Sequence, residues 1–187
     1  MSINIICCLS NNNAIGYRKE LLFEIKEDLK RFQHLTKNQI VVMGRSTFES
    51  IIERNNKPLG NGRTNVVLSR DENYTSKYGE YVFNSVDKIL KHCKTMGECD
   101  KSVWILGGQS VFEAFLPHAD NVYLTHVNKY VFDFDAEYPM GLQENLGFIK
   151  TEEEEYHSDK YNCSYKFTRY DKPPVAEEIG EENDGGK

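Results

Sequence analysis

Asp28 stands where a carboxylate is expensive. In the segment from Ile25 to Leu35, the apolar residues Ile25, Leu29, Phe32 and Leu35 recur at helical spacing and define one face. Asp28 falls inside that arc, between Phe32 and Leu35, while Lys26, Glu27, Lys30 and Arg31 are expected to point away. A carboxylate on a buried face costs on the order of several kcal/mol unless it is paired, hydrogen-bonded or protonated. A partner in the fold or in a ligand must answer it.

Three further segments carry groups suited to an anion. Val41 to Phe48 reads as a strand running through Gly44 into a helix start, with Ser46 or Thr47 as the cap. Arg45 stands at that entrance, where free N–H groups and the helix dipole favour negative charge. Val103 to Phe112 repeats the logic, with a strand, the Gly107-Gly108 turn and a helix. Its glycines let backbone approach a ligand closely. Asn65 to Arg70 is a third strand, ending in Leu68, Ser69 and Arg70. A lone Gly-Gly is weak evidence of a phosphate site. Two such turns at the C-terminal ends of strands are stronger, because ligands of open α/β sheets bind there. Neither turn is a G-x-G-x-x-G, so composition alone names no nucleotide.

The elements that must position these groups follow from periodicity. Short apolar runs predict strands over Ile3 to Leu9, Gln39 to Met43, Asn65 to Leu68, Tyr81 to Phe83, Val103 to Leu106 and Val122 to Val127. Helical patterns lie between them, over Ile25 to Leu35, Thr47 to Arg54, Val86 to His92 and Ser110 to Leu116. The alternation predicts an α/β fold, a mostly parallel central sheet flanked by helices on both faces. Phe148 to Tyr156 and Tyr161 to Tyr170 predict an antiparallel C-terminal hairpin, with Glu152 to Glu155 on a solvated strand end. From Ser10 to Glu24 the first strand and first helix are joined by a long connection. It is polar at Asn11-Asn12-Asn13 and apolar at Leu21-Leu22-Phe23, and is expected to pack over something as a lid.

The chain has 187 residues, enough for one domain with a real core. Residues 1–171 are expected to form that domain and residues 172–187 an acidic, disordered tail. Much of the net charge of −6 lies in the stretch after Tyr170, and no basic stripe is visible, which argues against nucleic-acid binding. The five cysteines show no C-x-x-C, and His92-Cys93 with Cys99 matches no usual zinc spacing, so reduced thiols in a cytoplasmic protein without a metal are expected. The N-terminal apolar run is too short for a signal peptide, and no stretch reaches the ~18 apolar residues of a membrane span.

In order and spacing these motifs resemble dihydrofolate reductase from about Ser2 to Tyr170. The carrying residues are Ala14-Ile15-Gly16, Asp28-Leu29 with Phe32, and Met43-Gly44-Arg45 with Thr47-Phe48-Glu49-Ser50-Ile51. Pro58-Leu59 through Gly62-Arg63 and Leu68-Ser69-Arg70 follow, then Gly107-Gly108 with Phe112, Phe115-Leu116-Pro117, Tyr123-Leu124-Thr125 and Asp135 to Pro139. The resemblance implies reduction of 7,8-dihydrofolate with NADPH, by hydride transfer to C6 and protonation of N5. It implies that Asp28 holds the pterin ring, with Thr125 as the linking hydroxyl and carbonyls of Ile6 and Leu106 at the ring edge. By the residues alone, Thr125 reads as an ordinary β-branched strand residue and Arg63 as a turn-surface arginine.

The same resemblance places Phe32, Ser50, Ile51 and Leu59 along the rest of the folate and gives Arg63 its glutamate α-carboxylate. It places Cys8, Ile15 and Gly16 by the nicotinamide. The Gly107-Gly108 turn, cis in this family, would receive the diphosphate. Arg45, Ser46 and Arg70 would surround the 2′-phosphate, and Gly44, Thr47, Leu68, Ser69, Leu106, Gln109, Ser110, Val111 and Phe112 complete the cofactor set. Leu21 and Phe23 would close over the nicotinamide. Two departures stand out: Leu21-Leu22-Phe23 replaces the usual Leu-Pro-Trp, and Gln109-Ser110 replaces a Gly and an arginine of some members. Two alternatives stand beside a monomeric reductase: the riboflavin-pathway reductase, which shares this fold and NADPH, and a low-turnover folate- or NADPH-binding protein, for which the altered lid leaves room.

Overall fold

The computed structural model describes residues 1–78, 80–96 and 101–174. Eleven strands are present in these residues: β1 Ile3–Ser10, β2 Ala14–Tyr17, β3 Glu20–Leu21, β4 Ile40–Gly44, β5 Thr64–Leu68, β6 Tyr81–Phe83, β7 Val103–Ile105, β8 Asn121–Val127, β9 Ala136–Glu137, β10 Ile149–Ser158 and β11 Cys163–Asp171. The helices are α1 Lys26–Thr36, α2 Arg45–Asn55, α3 Val86–Met96, α4 Gln109–Phe115 and α5 Met140–Asn145.

Eight strands form the main sheet in the order β10-β11-β8-β1-β7-β4-β5-β6. The six from β8 to β6 are parallel. β11 runs antiparallel to β8, and β10 antiparallel to β11, closing the expected hairpin. Parallel strands need both faces covered, which explains why β1 and β4 read as continuous apolar runs rather than alternating ones. On one face Ile5, Ile40, Val42, Val103 and Ile105 pack with Ile89 of α3 and Phe112 and Phe115 of α4. On the other, Ile6, Val41, Met43, Val67 and Trp104 pack against Phe48 of α2, with Phe32 and Leu35 of α1 half-buried beside them. Each fully buried branched side chain contributes about 1.5–3 kcal/mol.

The long connection after β1 is not structureless. It folds into β2 and β3, which join β9 in a separate three-stranded sheet of order β3-β2-β9. These short strands lack the apolar runs that mark the main sheet, and β9 lies more than a hundred residues further on, so no local pattern announces them. The helix of Arg45–Asn55 also starts earlier than expected. Its N-cap is Gly44, with no side-chain cap, so neither Ser46 nor Thr47 serves that role. Helix and strand abut directly, so the last strand residue, Gly44, is itself the N-cap and has no side chain to cap with.

Two further expectations about α1 are corrected. Leu29 is 37% exposed, and Arg31 does not point away but is half-buried. The packed face of the helix runs from Arg31 through Asp28 and Ile25 to Thr36, rotated off the Leu29 edge of the apolar arc. Arg31 can enter because its guanidinium lies 4.5 Å from the Phe167 ring centroid and 5.6 Å from that of Tyr123. At the C-terminus Lys172 is still tied to the body, its backbone N–H donating to Asp120 O at 2.9 Å. Most of the expected tail, residues 175–187, and Cys99 lie outside the described residues.

Candidate active site

α1 delivers Asp28 to the sheet beside the C-terminal half of β8. Thr125 is 1% exposed, and its hydroxyl donates to Asp28 Oδ1 at 2.5 Å across 97 residues of sequence. Thr125 is level with Cys8 of β1 on one side and Phe167 of β11 on the other. Burial raises the Asp28 carboxyl above the usual carboxylate range, and the Thr125 hydrogen bond and the Arg31 charge oppose that rise. Among the described residues Thr125 is the only hydrogen-bond donor to this carboxylate, which leaves acceptor capacity for a ligand. Burial, with the Asp28 charge added, also drives the Cys8 thiol well up, so Cys8 is a neutral, half-buried wall.

Three strand ends meet at the other side. Gly44 N donates to Gly107 O at 2.8 Å, joining the end of β4 to the turn after β7. The Gly107-Gly108 peptide is cis, as the resemblance implied. Gly107 has φ 100°, and a Cβ there would lie 2.8 Å from the Phe112 ring. A Cβ on Gly44 would come within 3.0 Å of Val111 Cγ2. Only glycine suits both positions. The two helices that start here, α2 after Gly44 and α4 after Gly108, both lack a side-chain cap. The first N–H groups of α2, from Arg45, Ser46 and Thr47, and of α4, from Gln109 and Ser110, are therefore free for a ligand's anion, while Val111 N donates to Gly108 O at 2.9 Å.

Leu68, Ser69 and Arg70 follow at the end of β5, with Ser69 buried and Arg70 exposed. Ser69 N donates to Phe83 O at 2.9 Å, which brings Asn84 and Ser85 beside them, two polar residues that sequence reasoning missed. Arg45 is held by Glu49 at 2.8 Å and Asp71 at 3.1 Å, and lies over the Tyr74 ring. An anion reaching Arg45 has to compete with two carboxylates.

The small sheet sits as a lid whose ties are now visible. Ser50 of α2, expected along the substrate, donates instead to Lys19 O at 2.7 Å. Lys19 pairs with Glu53 at 3.7 Å, and Arg54 with Glu20 at 3.6 Å and Glu24 at 3.2 Å. Arg18 N donates to Asp135 Oδ2 at 2.9 Å, and Asp135 N to Gly16 O at 3.1 Å. Gln109 accepts from Glu137 N at 3.1 Å, so one of the two departures ties α4 to this sheet. Phe23 is 5% exposed and packs with Ile25, Val127 and Tyr165, edge-on to Tyr161. Leu21, by contrast, is 52% exposed. Phe23 is the lid's anchor, and Leu21 is its solvent-accessible apolar residue. Ile15, half-buried, packs on the main core.

Between α1 and the segment after α2 lies a cleft of about 340 Å³, lined by Phe32, Gln33, Lys57, Leu59 and Arg63 among others. Ile51 and Leu106 pack beside it, half-buried with Ile6 below. Arg63 is not a free surface residue. Its Nε donates to Thr36 Oγ1 at 2.8 Å, Nη1 to Gly60 O at 2.7 Å and Nη2 to Gln33 O at 3.2 Å. Each terminal nitrogen keeps one N–H, and two parallel donors suit a carboxylate. Among the described residues no group of His, Cys, Asp and Glu could hold a metal ion.

Fold and site together place the molecule among the α/β oxidoreductases that hold a nucleotide at their strand ends. The dihydrofolate reductase family model matches residues 2–172. The chain is 36% identical over 168 residues to dihydrofolate reductase type 3 of Salmonella typhimurium, covering 88% of this chain and 96% of that one. It is 28% identical over 170 residues to dihydrofolate reductase of Bacillus subtilis, covering 91% and 94%. Its fold superimposes with a TM-score of 0.80 on dihydrofolate reductase from Enterococcus faecalis complexed with NADP(H) and RAB-propyl, at 25% identity and covering 92% and 97%. The chain belongs to the dihydrofolate reductase family. That membership sets aside the riboflavin-pathway alternative.

Proposed function

We propose that Asp28 binds and polarises the pterin of dihydrofolate while the glycine turns and strand ends hold NADPH. The reaction is the reduction of 7,8-dihydrofolate to 5,6,7,8-tetrahydrofolate. The observation that carries the assignment is a half-buried carboxylate whose one hydroxyl partner, Thr125, is itself buried, leaving open acceptor capacity. A ring amino group and ring N–H supply the missing donors. Thr125 orients the carboxylate, Ile6 and Leu106 offer backbone carbonyls at the ring edge, and Phe32, Ile51 and Leu59 flank the benzoyl part. Arg63 takes the glutamate α-carboxylate on its two remaining parallel N–H groups.

The residues at the strand ends fit NADPH. Gly44 and Gly107 let the two strand-end turns pack closely against Val111 and Phe112, and the two uncapped helix starts beside them would face a diphosphate. Gly108, Gln109, Ser110, Val111 and Phe112 would line that turn, and Arg45, Ser46, Ser69 and Arg70 would meet the 2′-phosphate. Thr47 and Leu68 border the same ends, and Cys8, Ile15 and Gly16 the reduced ring. When bound, NADPH supplies the hydride that reaches C6. Asp28 polarises the ring, and water delivers the proton to N5. Leu21 and Phe23 shield the site as parts of the lid.

Among the described residues no helix is long and apolar enough to cross a membrane, and Cys7, Cys8, Cys93 and Cys163 are free thiols. The free thiols fit a reducing compartment, and a monomer working in the cytoplasm is part of this proposal. The test is loss of NADPH absorbance on adding dihydrofolate. Asp28→Asn removes the charge behind two hydrogen bonds, and turnover is expected to fall on the order of 10²- to 10⁴-fold while the protein stays folded. Asp28→Ala falls at least as far. Wild-type turnover in either variant overturns the assignment.

A further inference from the structure

Arg31 is a charged group on the packed face of α1 that the assignment above leaves without a task. It lies three positions further along α1, so the two side chains share a face. Its guanidinium rests on Phe167 and Tyr123 at 4.5 and 5.6 Å. Phe167 is the residue level with Thr125 in the β8–β11 pairing, and Tyr123 is two positions from Thr125 on the same face of β8. The aromatic platform under Arg31 and the hydroxyl on Asp28 are therefore built from one patch of sheet. Arg31 Nη1 is buried without a hydrogen-bond partner among the described residues, and no carboxylate closes on the guanidinium as a direct ion pair there. A cation is kept half-buried on aromatic rings, with a donor unspent, beside the one carboxylate of the site.

We infer that Arg31 is a positioning residue: held on Phe167 and Tyr123, its charge keeps Asp28 in the ionised, hydrogen-bond-accepting form that grips the substrate ring. The inference rests on the ring-binding role given to Asp28. The field around the pair supports it. Burial raises the Asp28 carboxyl, and Arg31 opposes that. Burial also lowers the Arg31 guanidinium, and Asp28, Tyr123, Glu154 and Glu152 oppose it in turn. The other titratable groups facing Asp28 are Cys7 and Cys8 of β1, which burial and the Asp28 charge keep neutral, and Tyr165 of β11, which burial, Glu27, Tyr156 and last Asp28 keep neutral. Arg31 is the one positive charge in that ring of neighbours.

The dihydrofolate KM and kcat of the parent, Arg31→Met, Arg31→Gln and Arg31→Lys are measured at pH 5.5 and 8, with Asp28→Asn as a control. Removing the charge lets Asp28 take a proton at higher pH. The rise in KM on acidification is then expected to be roughly five- to tenfold steeper in Arg31→Met and Arg31→Gln than in the parent. Arg31→Lys is expected to return toward the parent curve. A merely structural role changes KM by the same factor at both pH values, and that result overturns the inference. So does failure of both neutral variants to fold, which would make Arg31 a folding residue. If Asp28→Asn keeps parental turnover, the ring-binding role itself falls and takes the inference with it. If Asp28→Asn is inactive and the neutral variants follow the parent curve, the ring-binding role stands and only the inference falls.

Discussion

A single carboxylate here works against the stability of the fold that holds it. The folded carboxyl of Asp28 is raised above its unfolded value, chiefly by burial. In such a case the group's favourable contribution is complete below the ordinary carboxylate range and is lost as pH climbs through the raised folded value. Asp28→Asn, which carries no charge to desolvate, should therefore be more stable than the parent at pH 8. The gap in thermal midpoint should narrow as pH is lowered toward 4; a gap that widens on acidification contradicts the sign. Thr125→Val keeps the shape and deletes the donor. It is expected to raise the dihydrofolate KM roughly tenfold, as loss of a hydrogen bond to a charged group, and to leave the NADPH KM near its parent value. Equal effects on both would mean that Thr125 acts through the sheet rather than through Asp28.

At the scale of elements, the lid shows where local pattern stops being informative. The apolar runs of β1, β4 and β8 announce themselves, and so does the glycine turn after β7, because each is dictated by burial on both faces or by a contact that only glycine tolerates. Asp28 was legible for the opposite reason, as a breach of its helix's pattern. Arg31 was equally within reach, since it stands three positions from Asp28, but a charged residue at the arc's edge reads as solvated until Phe167 and Tyr123 are known to lie beneath it. The β2–β3–β9 sheet depends on a partner far along the chain and on hydrogen bonds from Asp135 and Ser50. Its turn carries Arg18 and Lys19 at φ 49° and 66°, conformations costly for side-chain-bearing residues. Arg18→Asn together with Lys19→Gly should relieve about 1 kcal/mol or more and raise the thermal midpoint by at least ~2 °C. The same change removes the Lys19 charge from Glu49 and Glu53. Those contacts are exposed and contribute little at physiological salt. A lowered midpoint would show that the charges outweigh the backbone.

Over the whole molecule, the main sheet ends at β10, a ten-residue strand exposed along nearly its full length. Such an edge is a template for another chain unless it is guarded. Glu152 to Glu155 supply the guard, with Glu153 bridged to Lys150 and Lys166 and Glu152 to Arg169. Replacing Glu152 and Glu154 by Thr should leave turnover unchanged and promote self-association, visible as faster-sedimenting species in analytical ultracentrifugation. Persistence of a single slow species would show that the charges are not what protects the edge. The centre of the sheet has a different consequence. β1 lies between β7 and β8, so its two neighbours are Val103–Ile105 and Asn121–Val127. During synthesis the first strand made must wait, unpaired on both sides, until the ribosome has released most of the chain. Asp28 waits with it, because Thr125 emerges in the second of those neighbours, β8. The Asp28 carboxylate and the second edge of β1 thus find their partners in one late event, and a nascent chain interrupted before Asn121 has neither of these two.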